Sequence, residues 1–157
     1  MEFEPALSDR SQWSIGGSCS MTKVLEVLST KTAFQVVREL FFGTVRFDDF
    51  VERLQSSAPA VSRALKQLET AGIVARVPYQ EPGQRARDQY RLTEAGEDLL
   101  PVFLSLVQWG DQHLHDGAPP LVFHDADSGK RLAVHVAPAD DASPTHSADI
   151  AIRRPRR

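Results

Sequence analysis

Residues 56–74, SSAPAVSRALKQLETAGIV, decide the fold. Ser57 can cap a helix, and Pro59 falls in its first turn, where a missing amide proton does little harm. Val61, Ala64, Leu65 and Leu68 then recur on one side as an apolar stripe. Gly72 closes the helix, and the IVARV run that follows switches to alternating, β-rich character. Working outward, the loop PYQEPGQRAR separates that strand from a second one, DQYRLT. Upstream, Phe47, Phe50, Val51 and Leu54 recur at i, i+3, i+4 and i+7, the spacing of a short helix. A helix, a tight connection, a helix and a hairpin within about 50 residues make the winged helix-turn-helix plan.

The rest of the chain packs around this unit. Residues 1–18, with SIGGS, lack periodicity and read as an arm. Met21, Val24, Leu25, Val27 and Leu28 predict a short helix, and Phe34, Val36, Val37, Leu40 and Phe41 a second, over residues 32–42, ended by Gly43. Thr93 caps a long helix reaching about His113, with Glu94, Glu97 and Asp98 near the positive end of its dipole. Pro101 lies inside it, so the helix either kinks or restarts there. PLVFH and KRLAVHV, joined by DADSG, predict a C-terminal β-hairpin. The expected division is an arm (1–18), a winged-helix and dimerisation domain (19–116), a hairpin extension (117–136) and a disordered tail (137–157). The class is mainly α with a small β component (α+β).

With 157 residues and one cysteine, the chain has room for one domain with tails and no internal disulfide, which fits a reducing cytoplasm. No apolar run approaches the roughly 20 residues of a membrane-spanning helix, and the acidic N-terminus lacks the pattern of a secretion signal. The net charge of −3 conceals segregation. Residues 46–91 carry +2, residues 92–149 carry −8, and the last eight residues carry +4. The basic excess falls on the helix and hairpin, and the acidic segment beside them restricts which face meets phosphates.

On the fourth helix, Arg63, Lys66 and Thr70 lie opposite the apolar stripe, flanked by Ser62 and Gln67. Arginine can pair with guanine and glutamine with adenine, while serine and lysine hold phosphates. The candidate DNA-binding set is Ser57, Ser62, Arg63, Lys66 and Gln67 on the helix, with Arg85 and Arg87 on the hairpin loop. A solvated amphipathic helix explains the first group alone; the adjoining basic loop makes the combination specific. The first and long C-terminal helices carry more apolar surface than a small core can cover. Val24, Leu25, Leu28, Phe103, Leu106 and Trp109 are therefore the expected homodimer interface.

The segments CSMTKVLEVL, VVRELFFGTVRFDDFVERL, APAVSRALKQLETAGIVARVPY, RDQYRLTEAGEDLLPVFLSLVQWGDQHL and PLVFHDADSGK together resemble the HxlR family of bacterial winged-helix regulators. The resemblance runs from Cys19 to about Lys130. It implies cytoplasmic dimers that repress or activate nearby genes, a recognition helix at residues 58–71 and a wing at residues 77–91. It also places Cys19 where many members carry a thiol, which in some senses oxidants or electrophiles; a small buried residue is the plainer role for a lone cysteine. Thr32 and Ala33 replace the family's usual Trp-Thr pair. Ser128 stands where some members have a cysteine before the glycine, so a thiol-based metal site in the extension is not expected.

Other chemistry finds little support. His113 and His115, two apart, point about 200° apart on a helix and cannot then share a metal; they could do so only if the helix has ended by that point. His124 and His135 supply too few ligands for zinc. Phosphate-binding glycine loops, HExxH and GxSxG motifs are missing from the sequence. The expectation is a non-enzymatic regulator of double-stranded DNA without cofactor or metal, its small-molecule or redox effector open. The alternative is a winged-helix module that binds proteins.

Overall fold

The computed structural model describes residues 4–80, 83, 86–115, 118–136 and 146–153. Two short 3-10 turns, Pro5–Leu7 and Gly16–Ser18, precede α1 (Ser20–Val27), α2 (Lys31–Phe41), α3 (Phe47–Leu54) and α4 (Ala58–Thr70). An antiparallel hairpin follows, β1 (Val74–Tyr79) and β2 (Arg87–Leu92), with Val74 opposite Leu92 and Tyr79 opposite Arg87. Then come α5 (Glu94–Glu97), α6 (Leu100–Leu114), β3 (Val122–Asp125) and β4 (Ile150–Arg153).

Local chemistry sets the boundaries. The Thr30 hydroxyl accepts the Ala33 amide proton at 3.1 Å and caps α2. Gly43 and Gly72 take positive φ, 84° and 73°, and let α2 and α4 end in tight reversals. The four predicted stripe residues of α4 are all buried, packed on Ala33, Val36 and Leu40 of α2, Phe50 of α3, and Ile73 and Val74 leading into the hairpin. Each Val, Leu, Ile or Phe side chain among them that is removed from water contributes about 1.5–3 kcal/mol, and the alanines less. The long helix restarts rather than kinks: Thr93 caps α5, and Pro101 sits in the first turn of α6, where it costs no hydrogen bond.

The hairpin is flanked by a third strand-like segment. The Tyr90 amide donates to the Val45 carbonyl at 2.8 Å, and Arg46 bridges Gln89. Buried Glu39 anchors this segment. Its Oε1 accepts from Arg38 Nη2 at 2.8 Å and its Oε2 from the buried Thr44 hydroxyl at 3.0 Å. Both carboxylate oxygens are thereby satisfied, which is what makes a buried charge tolerable.

The C-terminal part departs from the sequence reading. β3 begins the expected turn, and residues 130–132 fold back on it through a single bridge between His124 and Arg131. The expected second strand, KRLAVHV, does not continue that ladder. Val134 instead donates its amide proton to Gln108 Oε1 (2.9 Å) and accepts at its carbonyl from Gln108 Nε2 (3.2 Å), so a side chain of α6 takes the place of a partner strand. The partner of β3 is β4, with Phe123 opposite Ile152. The tail was expected to be disordered; residues 146–153 instead form a 3-10 turn and this strand, while residues 137–145 and 154–157 lie outside the described residues. Ile150 and Ile152 adjoin Phe41, Phe42, Phe103 and Phe123, and the Ser147 hydroxyl donates to Glu97. Apolar contact outweighs the polar composition of the segment around it.

Candidate nucleic-acid interface

The candidate interface is built on α4. With Val61, Ala64, Leu65 and Leu68 buried, helical geometry turns Ser62, Arg63 and Lys66 outward, and all three are exposed. Arg63 makes no hydrogen bond or ion pair with any described residue. Lys66 Nζ lies 3.5 Å from Glu69 Oε2, and with the lysine side chain 72% exposed the pair leaves the ammonium available to another anion. Ser57 occupies the N-cap position but its side chain makes no capping hydrogen bond, contrary to the expected capping role.

Gln67 is engaged elsewhere. Its Nε2 donates to the carbonyls of Glu26 (2.9 Å) and Val27 (2.8 Å) and to Ser29 Oγ (3.2 Å). These carbonyls belong to the last turn of α1, where no intrahelical partner exists. The side chain therefore ties α1 to α4, and its amide is not presented to a base. Its sequence position suggested a polar flank; only the placement of α1 assigns the contact.

The wing stands beside this helix. Arg87 is exposed at the first position of β2, opposite Tyr79. Arg85, the other expected wing contact, lies outside the described residues. Arg46, which the sequence reading passed over, places its guanidinium 5.2 Å from the Tyr79 ring centroid, a cation–π arrangement. The signal was present: Arg46 follows the glycine-ended α2 and immediately precedes α3. Its relation to the wing required the long-range pairing with β2. At the base of the hairpin, Arg76 lies within 3.8 Å of Glu69 and 3.5 Å of Asp88, so this arginine is balanced by carboxylates.

The expected dimer residues divide into two groups. Val24, Leu25, Leu106 and Trp109 are exposed, at 40%, 52%, 52% and 58%, joined by Met21 and Val102. Leu28, at 4%, belongs to the protomer core instead. Phe103 also faces inward: it stacks on Phe41 at 5.4 Å and meets Phe42 and Phe123 edge-on. At about 100° per residue it points roughly a quarter turn away from the Val102, Leu106 and Trp109 stripe. Cys19, half-buried, is the N-cap residue of α1. Its thiol closes no strict capping hydrogen bond. Even so, the Thr22 amide, then the Thr22 hydroxyl, then the Met21 amide hold its pKa below the ordinary thiol value.

Among the described residues no cluster of three or more His, Cys, Asp or Glu is placed to hold a metal, and no helix is long and apolar enough to cross a membrane. Ser128 does turn work: its amide donates to Asp125 Oδ1 at 2.7 Å, and its hydroxyl accepts from the Lys130 amide at 3.3 Å.

The sequence profile of the HxlR-like helix-turn-helix family matches residues 27–118. An uncharacterized HTH-type transcriptional regulator of Mycobacterium tuberculosis H37Rv is 37% identical over 117 residues, covering 74% of this chain and 72% of that protein. One from Synechocystis is 33% identical over 63% of this chain and 73% of its own length. Among solved structures, the transcription-factor candidate PA1607 superposes with a TM-score of 0.67 at 28% identity, covering 90% of this chain and 98% of its own. The reduced form of the Bacillus subtilis regulator YodB gives 0.54 at 29%, covering 63% of this chain and 97% of its own. The oxidized redox regulator HypR gives 0.54 at 28%, covering 60% and 97%.

Proposed function

The chain belongs to the HxlR-like helix-turn-helix family, and we propose that it regulates transcription by binding double-stranded operator DNA as a homodimer. One observation carries the reading. The buried stripe of α4 turns Ser62, Arg63 and Lys66 outward as an exposed polar face, with a basic wing beside it. In this arrangement α4 enters the major groove, Arg63 reads a base edge, and Ser62 and Lys66 hold phosphates. Ser57, at the start of the helix, adds a backbone contact. Arg87 and Arg85 of the wing follow the adjacent backbone, and Arg46, stacked on Tyr79, sits where the first helix of the motif meets it.

The dimer forms through the exposed apolar faces of α1 and α6, centred on Val24, Leu25, Leu106 and Trp109. Two-fold symmetry then sets two recognition helices against two half-sites. The Cys19 thiol, its pKa lowered at the start of α1, is the group through which an oxidant or electrophile would perturb that dimer. With one cysteine per chain, the response takes the form of an intersubunit disulfide, a mixed disulfide or a direct adduct.

A footprint on the DNA upstream of the chain's own coding region tests the reading. A symmetric protected site, with affinity falling steeply as salt rises, is the expected result. Retention on a protein partner, with no protected DNA and no salt slope, would instead favour the protein-interaction alternative.

A further inference from the structure

α6 has two working faces. Val102, Leu106 and Trp109 share one side, whereas Leu104, Val107, Gln108 and Asp111, spaced i, i+3, i+4 and i+7, share the other, about half a turn away. This second face lines a cleft of about 490 Å³ closed on its far side by β3 and residues 131–134. A volume of that size falls within the roughly 300–1,000 Å³ of small-molecule sites. The cleft lies outside the surface assigned to the dimer.

Its walls are apolar through Leu104, Val107, Phe123 and Leu132, with Phe123 only 9% exposed. The irregular wall at residues 132–134 is fixed, not loose: Gln108 bonds both backbone groups of Val134, and the Leu132 amide donates to the Phe123 carbonyl at 2.9 Å. Because the Gln108 amide is engaged in holding the wall, the charged groups left facing the cleft are Asp111 from α6 and Arg131 from the opposite side. No ion pair joins them, and neither pairs with another described residue. A cleft with apolar walls, one carboxylate and one guanidinium, both without an ion-pair partner among the described residues, is complementary to a molecule with both a donor and an anion.

We propose that this cleft binds a small amphipathic molecule that presents an anionic group to Arg131, a hydrogen-bond donor to Asp111, and an apolar body to the cleft's apolar walls. Arginine suits the anionic end because its planar fork matches a carboxylate. The proposal stands apart from DNA binding, and it is tested on the full chain without DNA.

Calorimetric titration with three probes resolves it: L-phenylalanine (anion and donor), 3-phenylpropanoate (anion only) and 2-phenylethylamine (donor only). Phenylalanine is expected to bind most tightly. Arg131→Gln should weaken phenylalanine and phenylpropanoate by about tenfold or more, the usual consequence of losing a charge-assisted hydrogen bond. Asp111→Asn should weaken phenylalanine and phenylethylamine while tightening phenylpropanoate, which loses a like charge. Arg131 is exposed at the cleft and Asp111 is partly buried, so circular dichroism checks that both variants stay folded. Absence of saturable binding by all three probes up to about 10 mM, an affinity at which any site is trivially weak, overturns the proposal. So does binding that neither variant changes, and so does phenylpropanoate binding as tightly as phenylalanine. Each of these leaves the DNA-binding reading untouched.

Discussion

At the scale of single residues, burial separates side chains that the sequence places on one polar face. Arg63 and Gln67 are four positions apart on α4, yet one reaches solvent and the other reaches the end of α1. Arg63→Ala is therefore expected to cost about 1–3 kcal/mol on the specific operator and to relax its preference at one base pair, whereas Lys66→Ala weakens all sequences alike. Competition binding with operator and random DNA measures both; unchanged operator affinity in the two variants would remove α4 as the reader. Gln67→Ala should behave differently. It frees two terminal carbonyls of α1 and is expected to lower stability by about 1–2 kcal/mol in urea unfolding, with base discrimination retained. Cys19 offers a pH test. Its pKa is depressed in the folded chain by the Thr22 amide above all, so the reactive thiolate persists to lower pH than in the unfolded chain. The alkylation rate of native protein should reach half its plateau at a lower pH than that of the urea-unfolded chain. Thr22→Ala should return part of that difference, since it removes only the hydroxyl contribution. Coincident midpoints for native and unfolded protein would show that the helix terminus does not activate the thiol.

At the scale of elements, the helices and the wing were legible because their signals are local. The stripe of α4, the glycines at 43 and 72, and Thr93 each fix a boundary through backbone geometry or a capping bond that spans only a few residues. The YRLTEAG run shows how tightly such a signal can be built. The Thr93 hydroxyl accepts from the Gly96 amide (3.1 Å) and donates to the Gly72 carbonyl (2.6 Å), so one side chain fastens α5 to the start of the wing. A Cβ on Gly96 would stand 2.3 Å from the Ile73 carbonyl oxygen, a backbone atom that has no rotamer by which to withdraw. Gly96→Ala is thus expected to destabilise by about 1–3 kcal/mol, and more if the hairpin must shift. Equal melting temperatures for Gly96→Ala and the parent would contradict this close approach. The wing's contribution to binding is measured separately. Arg87→Ala should reduce the slope of log affinity against log salt by about 1, the loss of one phosphate contact, and an identical slope would place Arg87 away from the backbone.

At the scale of the whole molecule, the misreadings share a cause: each depends on which distant segment arrives first at a surface. KRLAVHV alternates as a strand should, but beyond the single His124–Arg131 bridge Gln108 takes the backbone of Val134, while the strand that pairs along β3, on its other edge, is β4. Phe103 carries the helical spacing of an interface residue, yet Phe41, Phe42 and Phe123 close around it. No local pattern distinguishes an apolar side chain covered by its own chain from one covered by a second copy. Exposure in the protomer makes the distinction, and it leaves Met21, Val24 and Leu25 of α1 and Val102, Leu106, Trp109 and Leu114 of α6 as large apolar side chains open to water. Removal of residues 146–157 should consequently lower stability, because Phe123 loses its strand partner and Glu97 its bond from Ser147, but leave association intact. Leu106→Asp combined with Trp109→Asp should do the reverse. Both positions are more than half exposed in the protomer, so the charges cost little in the monomer fold, while burial of two unpaired carboxylates is prohibitive in the dimer. Sedimentation at about micromolar concentration is expected to show a dimer for the parent and the truncated chain and a folded monomer for the double variant. A parent that sediments as a monomer, or a double variant that remains dimeric, would move the interface off α6.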